Sequence, residues 1–218
     1  MLEEALDVLM VVDPSGNLPG AATEGKTLRH LFWKLRPRLH LTLREGHEAT
    51  KQQLLQDFQS GRYDIVHYAG HAAFDPIDLA RRGLLCADDK FLTGDDLRGL
   101  TSLPTLLFLN VCQSGRTRGA APRPIDVPRE NPLRNSVSVA EAFLNGGLKL
   151  FLGTYWPVDD PSAMKFSETF YTKVIESQPI GEAVLAARRD VQQLGRADWA
   201  DYMLYGDPQF ALKPPQAE

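Results

Sequence analysis

The chain reads as an α/β protein with a mainly parallel sheet covered by helices on both faces. Three observations predict this. Its first 70 residues alternate strand-like and helix-like segments, the pattern of successive strand–helix–strand units. Its strand candidates are short, almost wholly apolar runs, which suit strands buried on both sides. Finally, several of these runs stop at abrupt polar turns, where ligands of open α/β sheets collect.

In order, Ala5–Val12 (A-L-D-V-L-M-V-V) is a strand closed by the turn signal Asp13-Pro14. The loop from Asp13 to Gly20 carries two glycines. Neither G-x-G-x-x-G nor G-x-x-x-x-G-K-[ST] is present, which disfavours a nucleotide-binding loop. Leu28, Leu31, Phe32 and Leu35 place a helix over Ala22–Leu35. Leu39–Leu43 alternates as a short strand, and His40 and His47 flank it as surface residues. Leu54, Leu55 and Phe58 mark a second helix over Ala49–Phe58, stopped by Gly61. Asp64–Ala69 is the third strand and runs into Gly70-His71.

Gly83–Thr93 reads as a hairpin turning near Asp88-Asp89, with a short helix over Gly94–Leu100. Thr105–Gly115 (T-L-L-F-L-N-V-C-Q-S-G) is the central strand, ending at Asn110, Val111 and Cys112. Arg116–Asn135 holds Pro122, Pro124, Pro128 and Pro132 with five arginines and no periodicity, so it reads as a long loop. Ser138-Val139-Ala140-Glu141 has the form of a capping box opening a helix through Leu144. Leu148–Gly153 is another buried strand, leaving through Thr154–Asp160. Helices follow over Pro161–Glu176 and Ile180–Leu194, and Trp199–Tyr205 is a last strand.

Composition narrows the function classes. The 218 residues carry a net charge of −4, with 43% hydrophobic and 24% charged residues. This is ordinary for a soluble globular chain, and it gives no general basis for nucleic-acid binding. No apolar run reaches the roughly 18 residues of a membrane span. Glu3 and Glu4 ahead of the first apolar run are unlike a signal peptide. The two cysteines are no disulfide framework and fit a reducing, cytoplasmic setting. Residues 1–213 read as a single domain excised from a longer protein, and 214–218 as a flexible tail.

Chemistry concentrates at the strand exits. His71 and Cys112 each lie just past the end of a parallel strand, on the same rim. If those strands pair, about 4.8 Å separates their backbones. A thiol beside an imidazole is the minimal nucleophile and base. The amides of Cys112 and Ala72 can then face a developing oxyanion. Two readings of Cys112 stand at this point, since a lone cysteine is also a common small core hydrophobe. His67 mimics a metal pair with His71, but the segment is a strand and the Glu of H-E-x-x-H is missing. No ligand set for zinc is clustered, and no cofactor is expected. Cys86 is read as structural.

D-I-V-H-Y-A-G-H-A (Asp64–Ala72) and L-N-V-C-Q-S-G (Leu109–Gly115) resemble the CHAT family, the caspase-like domains of clan CD cysteine peptidases, often attached to tetratricopeptide repeats. Asp13-Pro14 with Asn17–Ala21, Gly153–Asp160 and Leu204–Pro208 are similar to the family too, and in the same order. The resemblance implies a caspase-like three-layer sandwich with a mainly parallel six-stranded sheet. It also implies a cysteine endopeptidase with Cys112 as nucleophile and His71 as general base and acid. Cys112 and Ala72 become the oxyanion donors, Ala72 standing where the clan commonly has glycine. Asn110 occupies a position that shapes the first specificity pocket in related peptidases, where an acidic residue favours basic substrates. Asp159 and Asp160 on the same rim are candidates to supply that charge instead, and Trp156 to wall the pocket. Against this, Asp160 also reads as the cap of the helix starting at Pro161.

Arg116–Asn135 corresponds in position to the segment that caspases cleave or rearrange on activation. The expected partners are a protein or peptide substrate and regulatory domains or a sensor subunit, as in bacterial defence or programmed death; neither nucleic acid nor membrane is expected. The rival readings are a catalytically silent module that binds peptides or partners, and a Rossmann-like nucleotide binder.

Overall fold

The computed structural model describes residues 5–36, 38–73, 83–110, 132–154 and 158–212, with 132–138 as backbone alone. The first strand, β1 (Leu6–Val12), is followed by α1 (Pro19–Lys34), β2 (Leu39–Glu45), α2 (Lys51–Gln59) and β3 (Ile65–Ala69). A small antiparallel excursion then comprises β4 (Ala72–Ala73), β5 (Gly83–Leu85) and β6 (Phe91–Thr93), ending in α3 (Gly94–Leu97). The main sheet resumes with β7 (Leu106–Asn110), α4 (Pro132–Asn145) and β8 (Leu150–Thr154). Two helices, α5 (Asp160–Ile175) and α6 (Ile180–Gln193), precede β9 (Tyr202–Tyr205).

The six-stranded sheet runs β2-β1-β3-β7-β8-β9. Only β9 is antiparallel to its neighbour. Alternation along each strand sorts the core into two layers, as a period of two requires. Val8, Met10, Ile65, Leu106 and Phe108 face α1, α5 and α6. Leu9, Val11, Val66, Tyr68, Leu107 and Leu109 face α2, α3 and α4. The result is a three-layer sandwich with helices on both faces, as the strand–helix alternation predicts.

Several boundaries differ from expectation, and three of the shifts change how a residue is read. Helix α4 begins at Pro132, so the loop expected through Asn135 stops earlier and Ser138 lies inside the helix rather than capping it. Proline is at home in a first helical turn, where its missing N–H has no partner to lose, so this proline starts a helix. Helix α5 begins at Asp160 and is capped by Asp159, whose carboxylate accepts from the Ser162 N–H at 2.8 Å. The sequence assigns that cap to Asp160. Last, the strand expected from Trp199 begins only at Tyr202, after a 3-10 turn over Ala197–Ala200.

The turn after β3 determines where His71 goes. Tyr68 lies back along the turn, its hydroxyl 2.8 Å from the His71 carbonyl and 2.6 Å from that of Leu85. A Cβ on Gly70 would meet that hydroxyl at 2.6 Å, so the close approach requires glycine.

Candidate active site at the β1, β3 and β7 exits

Strand β3 pairs directly with β7 in parallel, from Ile65↔Leu106 to Ala69↔Asn110. His71 stands two residues beyond Ala69, and Cys112 two residues beyond Asn110 in the chain. Cys112 and Trp156 lie outside the described residues, as do residues 116–131 of the arginine- and proline-rich segment and the 214–218 tail.

The His71 imidazole is half-buried, its Nε2 2.9 Å from the Asn17 Oδ1. Burial pulls its pKa below the ordinary histidine value, and the neighbouring Asp13 carboxylate partly offsets this. The ring is therefore neutral at pH 7, the form in which a histidine accepts a proton.

Ala72 directly follows His71 in β4. Leu85 N–H donates to the His71 carbonyl at 2.9 Å, and Ala72 pairs with Leu84. Alternation along an antiparallel ladder then points the Ala72 N–H away from β5. Alanine takes the place of glycine there without strain, since Ala72 is not among the residues of positive φ.

Asn110 does not line an open pocket. It is wholly buried, and its amide donates to Glu24 Oε1 at 2.7 Å. Ser167 donates to the same oxygen at 3.1 Å. His67 Nε2 is also 3.1 Å from it, at an angle too oblique for a well-formed hydrogen bond. The other ring nitrogen of His67 lies 3.0 Å from the Tyr171 hydroxyl. Burial by itself would raise the pKa of Glu24, but His67, Asn110 and Ser167 outweigh it and hold the carboxyl below its usual range. A buried carboxylate thus joins α1, β3, β7 and α5 directly beneath the rim. His67 is a core residue with a hydrogen-bond partner, as its strand position suggests.

Asp159 is committed too. Besides capping α5 it is ion-paired with Arg196, and its N–H points to the Asp198 carboxylate at 3.3 Å. Asp160 lies in the first turn of α5 and is half-buried. Cys86 sits in the core at 1% exposure, where burial pushes its thiol up to about 12. Among the described residues, no group of three or more His, Cys, Asp and Glu side chains could hold a metal.

Sequence reasoning missed Asn17 and Glu24. The loop bearing Asn17 leaves β1 on the same rim as His71, which is the one signal available in advance. Glu24 falls on the buried side of α1 among apolar residues, and only its position in that pattern marks it out.

Comparison with known proteins fits this architecture. The CHAT domain family model matches residues 5–207. The chain belongs to the CHAT domain family. No curated protein matches it. Two crystal structures of the Saccharomyces cerevisiae separase–securin complex share the CHAT chain's fold. One aligns with a TM-score of 0.57 at 19% identity, and the other with 0.56 at 20%. Each alignment covers 94% of this chain and 12% of the other, so the CHAT chain spans about an eighth of that length. The shared fold is caspase-like. No helix among the described residues is long and apolar enough to cross a membrane.

Proposed function

We propose that this CHAT domain is a cysteine endopeptidase that cleaves a protein partner through Cys112 and His71. The observation that carries the reading is the direct pairing of β3 with β7, whose last rung joins Ala69 and Asn110. Base and nucleophile each follow that rung by two residues. His71 takes the Cys112 thiol proton, and the thiolate attacks the scissile carbonyl carbon. The Ala72 and Cys112 N–H groups hold the oxyanion, a contribution of about 3 kcal/mol per donor in other enzymes. As the C–N bond breaks, the imidazolium returns its proton to the leaving amine. Water, deprotonated by His71, then hydrolyses the thioester.

Asn110 and Asp159 have their side chains engaged within the fold, so of the candidate substrate contacts Asp160 and Trp156 carry the proposal. Regulation falls to the segment after Cys112 and to attached domains or a sensor, an arrangement suited to a cytoplasmic defence or cell-death response. The neutral His71 and the unstrained Ala72 favour this reading over a silent binding module.

The test is hydrolysis of a peptide library by the wild type and by Cys112→Ala. Cleavage by the wild type alone is expected, with the acid limb of kcat/KM below pH 6.5 because burial depresses the His71 pKa. No turnover with the true partner and activator present would favour the silent module.

A further inference from the structure

The loop between β1 and α1 is tied to the same strand end that delivers His71. Asp13 donates its backbone N–H to the carbonyl of Ala69 at 2.8 Å. Its carboxylate then closes the loop on itself, one oxygen accepting from the Asn17 N–H at 3.1 Å and the other from the Leu18 N–H at 3.0 Å. Asp13 has a φ of +42°, a left-handed conformation that aspartate tolerates better than most residues. Beneath the loop, Leu18 and Ala21 pack on Ala69 in a small apolar cluster. The loop and the root of the His71 turn therefore share one support.

Asn17 presents its side-chain oxygen from this support. That oxygen lies 2.9 Å from His71 Nε2 and 2.8 Å from the Ser15 hydroxyl. The Ser15 hydroxyl stands between that oxygen and the Asp13 carboxylate, 3.2 Å away, and both can accept from it. The Asn17 side-chain oxygen can only accept, so the imidazole nitrogen facing it donates. The neutral ring accordingly carries its hydrogen on Nε2 and its lone pair on Nδ1.

We propose that Asn17 is the positioning residue of His71, its carbonyl holding the ring as the Nε2–H tautomer so that Nδ1 is the atom that takes and returns the proton. This rests on the peptidase reading for its consequence but not for its geometry. In the reaction, the Cys112 S–H bond breaks and an Nδ1–H bond forms. The imidazolium keeps its Nε2–H on Asn17, and the Nδ1 proton passes to the leaving amine as its bond to carbon breaks. Groups that orient a metal-bound histidine through its second nitrogen matter by about 10- to 100-fold where they have been removed, and the same scale is expected for His71.

The test combines ring-nitrogen NMR with kinetics on the whole chain. Long-range 1H–15N spectra, with His71 assigned by its loss in His71→Gln, are expected to show the Nε2–H tautomer in the wild type and a mixture in Asn17→Ala. Asn17→Ala is expected to lower kcat about 10- to 100-fold with KM unchanged. Asn17→Asp keeps the acceptor and is expected to restore kcat, with the acid limb of the profile moved upward because a carboxylate favours the imidazolium. An Nδ1–H tautomer in the wild type, or the same tautomer in Asn17→Ala, overturns the proposal. So does an unchanged kcat in Asn17→Ala, and that result leaves the peptidase reading intact. If the tautomer responds as expected and nothing is cleaved with the true partner and activator present, the positioning stands and the peptidase reading falls.

Discussion

Two residues away from the proposed chemistry show how context assigns roles to titratable groups. Glu24 is a carboxylate at 1% exposure that serves as a shared acceptor for Asn110 and Ser167, with His67 beside it. Removing it strands several buried donors, so Glu24→Ala is expected to cost about 3 kcal/mol in urea unfolding at pH 7. The sign of the pH dependence follows from its depressed pKa. Its stabilisation is complete above the unfolded-state value near 4.3 and is lost as pH falls from there through the lower folded value. The gap in stability between wild type and Glu24→Gln should therefore narrow below about pH 4. Cys86 shows the opposite outcome of burial. With its pKa pushed up to about 12 it holds its proton, and iodoacetamide at pH 8 should leave it unmodified until the protein is unfolded, as peptide mapping would show.

Among the elements, helix starts carry the clearest lesson. Pro132 opens α4 within what composition marks as loop, and Asp159 rather than Asp160 caps α5. Both reflect small offsets in where a helix's unpaired N–H groups begin. The Asp159 carboxylate satisfies Ser162 N–H and pairs with Arg196, so its role is architectural. Asp159→Ala is expected to lower stability by about 1 kcal/mol while leaving substrate charge preference unchanged, read from denaturation and a peptide series. The β3–β4 turn is the complementary case. Gly70 admits the Tyr68 hydroxyl where any Cβ would stand, and that contact holds the His71 carbonyl. A tyrosine in the hydrophobic layer thereby stiffens the segment bearing the proposed base.

Across the whole molecule, the sheet order brings together what the chain separates. By itself the sequence determined the α/β class, the order of its main strands and helices, and the rim on which His71 lies. Apolar periodicity and turn residues act within a few positions of one another, so these features are written locally. Only the tertiary structure decided that β3 lies beside β7, because strand pairing depends on crossovers and on both faces being covered. It also turned Asn110 inward to Glu24, 86 residues away, where the sequence had suggested a pocket wall. The same packing set Asn17 against His71, 54 residues apart, a contact that the loop's composition does not announce. A hydrogen bond between distant residues leaves no periodic trace in either segment. It exists because β1 and β3 are neighbours whose exits share one edge, a relation that the folded sheet alone creates.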